Sequence, residues 1–220
     1  KEWPKDGRGE KLGWVGPAAA IMVLFMTHLL ADDWLASLDE HWHSTAFPVV
    51  WLCGQAVAGL ALAMLGALFA GADPAQPTGY HRFPGIDWGS LLFATVMFWC
   101  YVAFAQFLIV WSGNLPAEAS WYTRRLDGFW RYVPLAILLT QFLAPLIVLL
   151  SRRAKQKRRP LAIIAILLMG GQSLYTAWMI LGAFPEAPAA TPWLAFVFVC
   201  AVGGVFTNRY LAFARKEIAP

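Results

Sequence analysis

WGSLLFATVMFWCYVAFAQFLIVWS, residues 88–112, contains no Asp, Glu, Lys or Arg. A helix rises about 1.5 Å per residue, so roughly 20 mostly apolar residues cross the hydrocarbon core of a bilayer. This stretch is long enough to span, and it does not stand alone. Residues 17–38 and 46–70 precede it, and 132–151, 161–184 and 191–212 come after it, each near bilayer length. Lipid offers no partner to backbone N–H and C=O groups, so each segment must satisfy its own as a helix. The predicted fold is therefore all-α, a polytopic transmembrane helical bundle of about six spans. Residues 1–16 form an N-terminal segment, 17–214 the membrane domain and 215–220 a tail.

Hydrophobic residues make up 59% of the chain and charged residues 14%, with a mean hydropathy of +0.55. That balance excludes a large soluble catalytic domain. The net charge of +4 sits in the loops, a distribution that does not suggest nucleic acid. Its densest run, residues 152–159 (RRAKQKRR), reads either as a topology determinant held in the cytoplasm or as a binding patch for lipid or nucleic acid. Lys1, Lys5, Arg8 and Lys11 fall on the same side, as do Arg209, Arg215 and Lys216. Six spans then place both ends in the cytoplasm. The opposite side receives residues 39–45, 113–130 and 185–190, of which only the middle loop is basic, through Arg124, Arg125 and Arg131.

The polar groups inside the spans are few. His28 and Asp32 lie one helical turn apart on one face, with Asp33 beside them. Ionisable groups are costly in hydrocarbon and often mark proton or ion paths; at the interface they would be solvated and inert. Trp99, Gln106 and Gly113 recur at seven-residue spacing, a stripe with a buried amide at its centre. Such a Gln can cross-link helices, line a proton path or hold a quinone carbonyl. Asn114-Leu115-Pro116 ends that helix, and Glu118 comes next among the charged residues. Gln141 in the fourth span, and Gln172, Tyr175 and Thr176 on one face of the fifth, read as interhelical packing, with Gly170-Gly171 allowing close approach.

Metal and haem are not expected in this chain. His41 and His43 form an isolated HxH in a loop, without further ligands to close a tetrahedral site. His28 is the only His within a span, so a bis-His haem is not anticipated. Cys53, Cys100 and Cys200 lie in apolar spans away from any CxxC or CxxCH pattern and read as small buried hydrophobes. No P-loop, GxSxG, HExxH or dinucleotide fingerprint is present.

Two stretches carry a family likeness. Residues 33–45, DWLASLDEHWHST, resemble the DW-x-x-SL-x-x-HW-x-ST stretch of the ActF-type membrane subunit of alternative complex III. Residues 98–118, FWCYVAFAQFLIVWSGNLPAE, are similar to that family's FW-x-YIAFSQ-x-x-LIWYAN-x-PEE helix end. Trp130, Pro145 and residues 149–152 fit in order, so the likeness covers most of the chain. It departs at Ala105, Ser112-Gly113 and Ala117, where the family has Ser, Tyr-Ala and Glu.

The resemblance implies a bacterial quinol oxidoreductase of the cytoplasmic membrane, respiratory or photosynthetic, distantly related to NrfD/PsrC-type quinol-handling proteins. Its haem c and iron–sulfur clusters lie in partner subunits, with quinone or quinol nearby and no cofactor held by the ActF-type chain. Partners would be the other membrane and periplasmic subunits, lipids and the quinol pool. Family members have about ten spans; a first residue other than Met, and a cytoplasmic start, would fit a C-terminal part lacking the first four.

The resemblance leaves two roles open. In the first, His28 and Asp32, with Asp33 beside them, form the titratable group of a proton half-path. Gln106 and Tyr101 relay or position, and Glu118 sits with Arg124 and Arg125 at the outer mouth. In the second, the chain is a scaffold whose Arg124, Arg125 and Arg131 dock periplasmic subunits. A stand-alone transporter is the remaining alternative, although internal repeats are not evident.

Overall fold

The computed structural model describes residues 14–39, 42, 44–69, 71–75, 85–184 and 209. The expected sixth span (apart from Arg209), residues 1–13, the tail 215–220, His41 and His43 lie outside the described residues. The chain divides into two compact units, Lys1–Ala183 and Phe184–Pro220. Of the second, only Phe184 and Arg209 are described.

The first unit holds five helices long and apolar enough to cross a membrane: Val15–Leu38, Phe47–Phe69, Gly85–Gly113, Trp130–Leu150 and Arg158–Leu181. No expected boundary of these five moves by more than three residues. The shifts have a physical reason. Helices continue into the interface, where Asp87 and Arg158 are solvated, and Gly182 stops the last one ahead of Phe184.

In element terms, α1 (Val15–Leu30) runs through a π turn (Ala31–Leu35) into a 3-10 turn (Ala36–Leu38). Next come α2 (Phe47–Phe69) and α3 (Gly85–Gly113). A short helix, α4 (Pro116–Arg124), lies within what the sequence reads as a loop. Asn114 closes α3 in the left-handed region at φ 47°, and Pro116 opens α4 in its first turn, where a missing N–H costs nothing. The fourth rod holds α5 (Val133–Ile137), a π segment (Leu138–Leu143) and α6 (Ala144–Leu150). α7 (Arg152–Lys155) and α8 (Arg158–Leu181) complete the unit.

α2, α3 and α8 form the core, and each buries a seam at steps of three and four. On α2 the seam is Phe47, Val50, Gly54, Val57, Ala61, Met64 and Leu68. On α3 it runs Gly85, Gly89, Leu92, Val96, Trp99, Gln106 and Val110, with half-buried Ala103 filling the step between Trp99 and Gln106. On α8 it is Leu161, Ala165, Leu168, Gln172, Tyr175 and Met179. Such a repeat keeps one face toward its neighbour along the whole length, the geometry of knobs-into-holes packing. In lipid, where hydrophobicity does not drive helices together, close fit must. Gly54 supplies it: a Cβ there would stand 2.8 Å from Gln172 Oε1 and 3.2 Å from Trp99 Nε1. The opposite faces, with Phe98, Phe104, Ile109, Ile147 and Ile163 exposed, suit acyl chains.

The π segment of the fourth rod has an identifiable cause. Pro145 has no N–H to give the carbonyl of Gln141, and its ring crowds that carbonyl. The thiol of Cys100 on α3 donates to Gln141 O instead, at 3.6 Å. Cys100 is thus a replacement donor in hydrocarbon as well as a small hydrophobe.

Candidate functional site

Two polar centres are built on this frame. The first closes the end of the bundle where α1 and α3 finish. Arg125, just past α4, is 1% exposed. Its Nε and Nη2 donate to Met179 O at 3.0 and 2.9 Å, and Nη1 donates to Trp121 O at 2.9 Å. Met179 lies in the last turn of α8, where carbonyls lack intrahelical donors and the helix dipole favours a cation. Trp178 Nε1 donates back to Arg125 O at 3.0 Å. The guanidinium also lies 3.3 Å from the ring centroid of Trp121, on which Trp42 stacks at 4.0 Å. Burial pulls Arg125 down to about 10 while Asp39 pulls it back up, so it stays charged at neutral pH. Arg124 is half-exposed and pairs through Nη1 with buried Asp39 Oδ2 at 3.3 Å.

The second centre is a cleft of about 150 Å³ between α3, α4, α5 and α8. Its walls include Trp99, Phe107, Tyr122, Tyr175 and Trp178. They brace one another edge to face, Trp99 on Tyr175 at 5.3 Å and Phe107 on Tyr122 at 5.5 Å. Gln106 also lines the cleft, 4% exposed, and its Nε2 has no hydrogen-bond partner. Burial pushes the phenol of Tyr122 up to about 12, with Arg125 opposing.

The folded state therefore keeps that proton above pH 10, where an unfolded phenol has lost it. Tyr122 contributes stability that is full below about pH 10 and is lost as pH rises toward 12. In detergent, Tyr122→Phe should lose less stability across that window than the parent chain, as read from denaturation midpoints. Equal losses would show that Tyr122 is not the group responsible.

A polar seam crosses the bundle between the fourth rod and α8. Gln141, fully buried, donates through Nε2 to Leu168 O at 2.8 Å and accepts from Gln172 Nε2 at 3.4 Å. Gly171 makes room for it: an added Cβ would overlap Gln141 Nε2. At the far end of the bundle, Lys155 is buried with Nζ 2.9 Å from Ser90 Oγ, and Arg158 Nη2 donates to Leu68 O at 2.5 Å. Desolvation, and after it Arg152, lowers Lys155.

The residues singled out in the sequence separate into groups. His28 Nε2 and Asp32 Oδ2 are 3.3 Å apart, as their spacing predicts, with side chains 53% and 44% exposed. Asp33 is also exposed. No residue of α1 is buried, and the helix packs chiefly on α2. Gln106 belongs to the cleft, whereas Tyr101, on the same helix, is 69% exposed and outside its lining. Glu118 is half-buried on α4. Arg125 corrects the reading of three outward arginines: its side chain is turned inward onto Met179 and Trp121 and presents no docking surface in this unit. Arg131 is exposed, with Nη2 2.8 Å from Tyr132 Oη. The cleft and the Cys100 bond were not read from the sequence. The sequence signal for the first was the density of aromatics around Gln106, and for the second Pro145 four residues after Gln141.

No family model matches the chain, and no curated protein matches it. Among the described residues no three His, Cys, Asp or Glu come together as a metal site would require.

Proposed function

We propose that the chain is an integral membrane subunit of a quinol-oxidising complex of the ActF, alternative complex III type, with no redox centre of its own and both ends of this segment cytoplasmic. Support for the family comes from the two sequence stretches at residues 33–45 and 98–118. Support for a multisubunit assembly comes from one observation, the His28–Asp32 contact, whose two side chains stay about half-exposed on an apolar span that buries only Ala31 and Leu35 within this unit. Ionisable side chains in a span face a bundle interior or a wet cavity. A second membrane subunit over α1 supplies that environment, and a proton half-path then runs at this interface. Arg124 and Arg131 remain on the periplasmic side for docking.

Two measurements test the reading. In a mild-detergent native gel the chain should co-migrate with haem and iron–sulfur absorbance; migration alone rejects the complex and favours a transporter. In the assembled complex, Asp32→Asn and His28→Leu should each lower quinol turnover and proton release about tenfold or more, the range of a lost general acid–base group. Unchanged turnover with full assembly leaves a scaffold only.

A further inference from the structure

The run at residues 152–159 carries six cations in eight positions, and the fold holds them in place. Lys155 lies over Gly89 of α3, where an added Cβ would stand 2.9 Å from its Cγ, and its Nζ is 2.9 Å from Ser90 Oγ. Arg158 reaches Leu68 O. Both partners are neutral, so these contacts tie the segment to α3 and α2 without cancelling charge. The other four, Arg152, Arg153, Lys157 and Arg159, are exposed. No ion pair among the described residues involves any of the six. The described acids at this end, Asp73 and Asp87, are exposed, and Asp73 is turned onto Ala75 N at 3.0 Å. Desolvation and then Arg152 lower Lys155, and no acid raises it back, in contrast to Arg125 with its Asp39.

These cations stand over a surface suited to acyl chains. Arg159, Ile163 and Ile166 follow at steps of four and three, which puts them on one face of α8. Ile163 and Ile166 are 59% and 57% exposed. Helical side chains lean toward the N-terminus, so an arginine in the first turn keeps its stem on the apolar stretch and its head in the interface. We propose that this end of the bundle binds an anionic glycerophospholipid, its phosphate among the four exposed cations with Arg159 nearest the tails, and one acyl chain along Ile163 and Ile166. Basic pockets beside membrane helices take such head groups. The apolar face below decides for lipid over free phosphate or nucleic acid, neither of which has anything to lay on it. The site needs no partner subunit and no particular sidedness, so it stands or falls apart from the proposed complex.

The purified full chain, stripped of lipid in mild detergent, is titrated with phosphatidylglycerol and with phosphatidylcholine of equal chain length, and native mass spectrometry counts the bound lipids. Phosphatidylglycerol should bind saturably and about tenfold or more tighter, since each basic residue near an anionic surface is worth about fivefold. Arg159→Gln combined with Gln156→Arg keeps the charge of the run but moves one cation off α8; it should weaken binding about fivefold. Both substituted residues are exposed, and an unchanged thermal midpoint confirms the fold. Equal binding of the two lipids overturns the proposal. Full affinity in the relocated-charge variant also overturns it, leaving only diffuse attraction. Displacement by equimolar inorganic phosphate or by an oligonucleotide overturns it too, because the tails would then contribute nothing.

Discussion

Arg125→Ala should lower the thermal midpoint of the detergent-solubilised chain more than any other single change at the Arg124 end of the bundle. Three donor contacts tie Arg125 to the carbonyls of Met179 and Trp121, and the cation lies against the Trp121 ring. Truncation removes all of these and strands a carbonyl in the last turn of α8. Hydrogen bonds to charged groups contribute about 1.5–3 kcal/mol each and leaving a buried partner bare adds to the loss. A net cost of about 3–5 kcal/mol is expected, in line with breaking other buried charged contacts. Arg125→Lys should recover little of it, because an ammonium cannot reproduce the planar fork that reaches two carbonyls at once. Arg124→Ala, at a half-exposed pair, should cost about 1 kcal/mol or less. Scanning fluorimetry of the three variants checks the order, and an Arg125→Ala midpoint level with that of Arg124→Ala would refute the clamp.

The second large effect is expected in the middle of the bundle. Gly171→Val places two methyl groups where Gln141 now donates to Leu168 O. The amide must leave, losing that bond and its contact with Gln172, and α8 must back away from the π segment. Overpacking a tight core costs about 1–3 kcal/mol, and the lost hydrogen bond adds about 1 kcal/mol. Coupling is the sharper test. Gly171→Ala and Gln141→Ala, measured singly and together by unfolding in detergent, should be non-additive, because removing the Gln141 side chain relieves the clash. Coupling of about 1–2 kcal/mol is expected for residues in direct contact. Strict additivity would mean that Gly171 and Gln141 do not meet.

Most of the fold was legible because membrane helices announce themselves in two local quantities, length and apolarity, and neither depends on neighbours. The seam on α3 was legible too, since Trp99 and Gln106 sit at a spacing that only a helix turns inward together. Gly113 shares that spacing but lies exposed at the helix end, where no described residue comes within 4 Å of an added Cβ. Charge was the less faithful guide. Arg124 and Arg125 are adjacent and chemically identical, yet one faces outward and pairs with Asp39 while the other is swallowed by the bundle. α4 decides between them, by turning successive side chains through about 100°, and α4 was itself read as loop. The His28–Asp32 contact is fixed by spacing alone; what it faces is not, because both side chains stay about half-exposed on the outer side of this unit.

Arg158 carries two readings at once. It belongs to the basic run at residues 152–159 and also grips the final carbonyl region of α2 through Leu68. A charge that the sequence alone offers as a marker of sidedness is, in the fold, a fastener between two rods whose bonded residues lie 90 positions apart. Neutralising it alters two properties with one change, so a sidedness assay on an Arg158 variant reports on rod-to-rod packing as well.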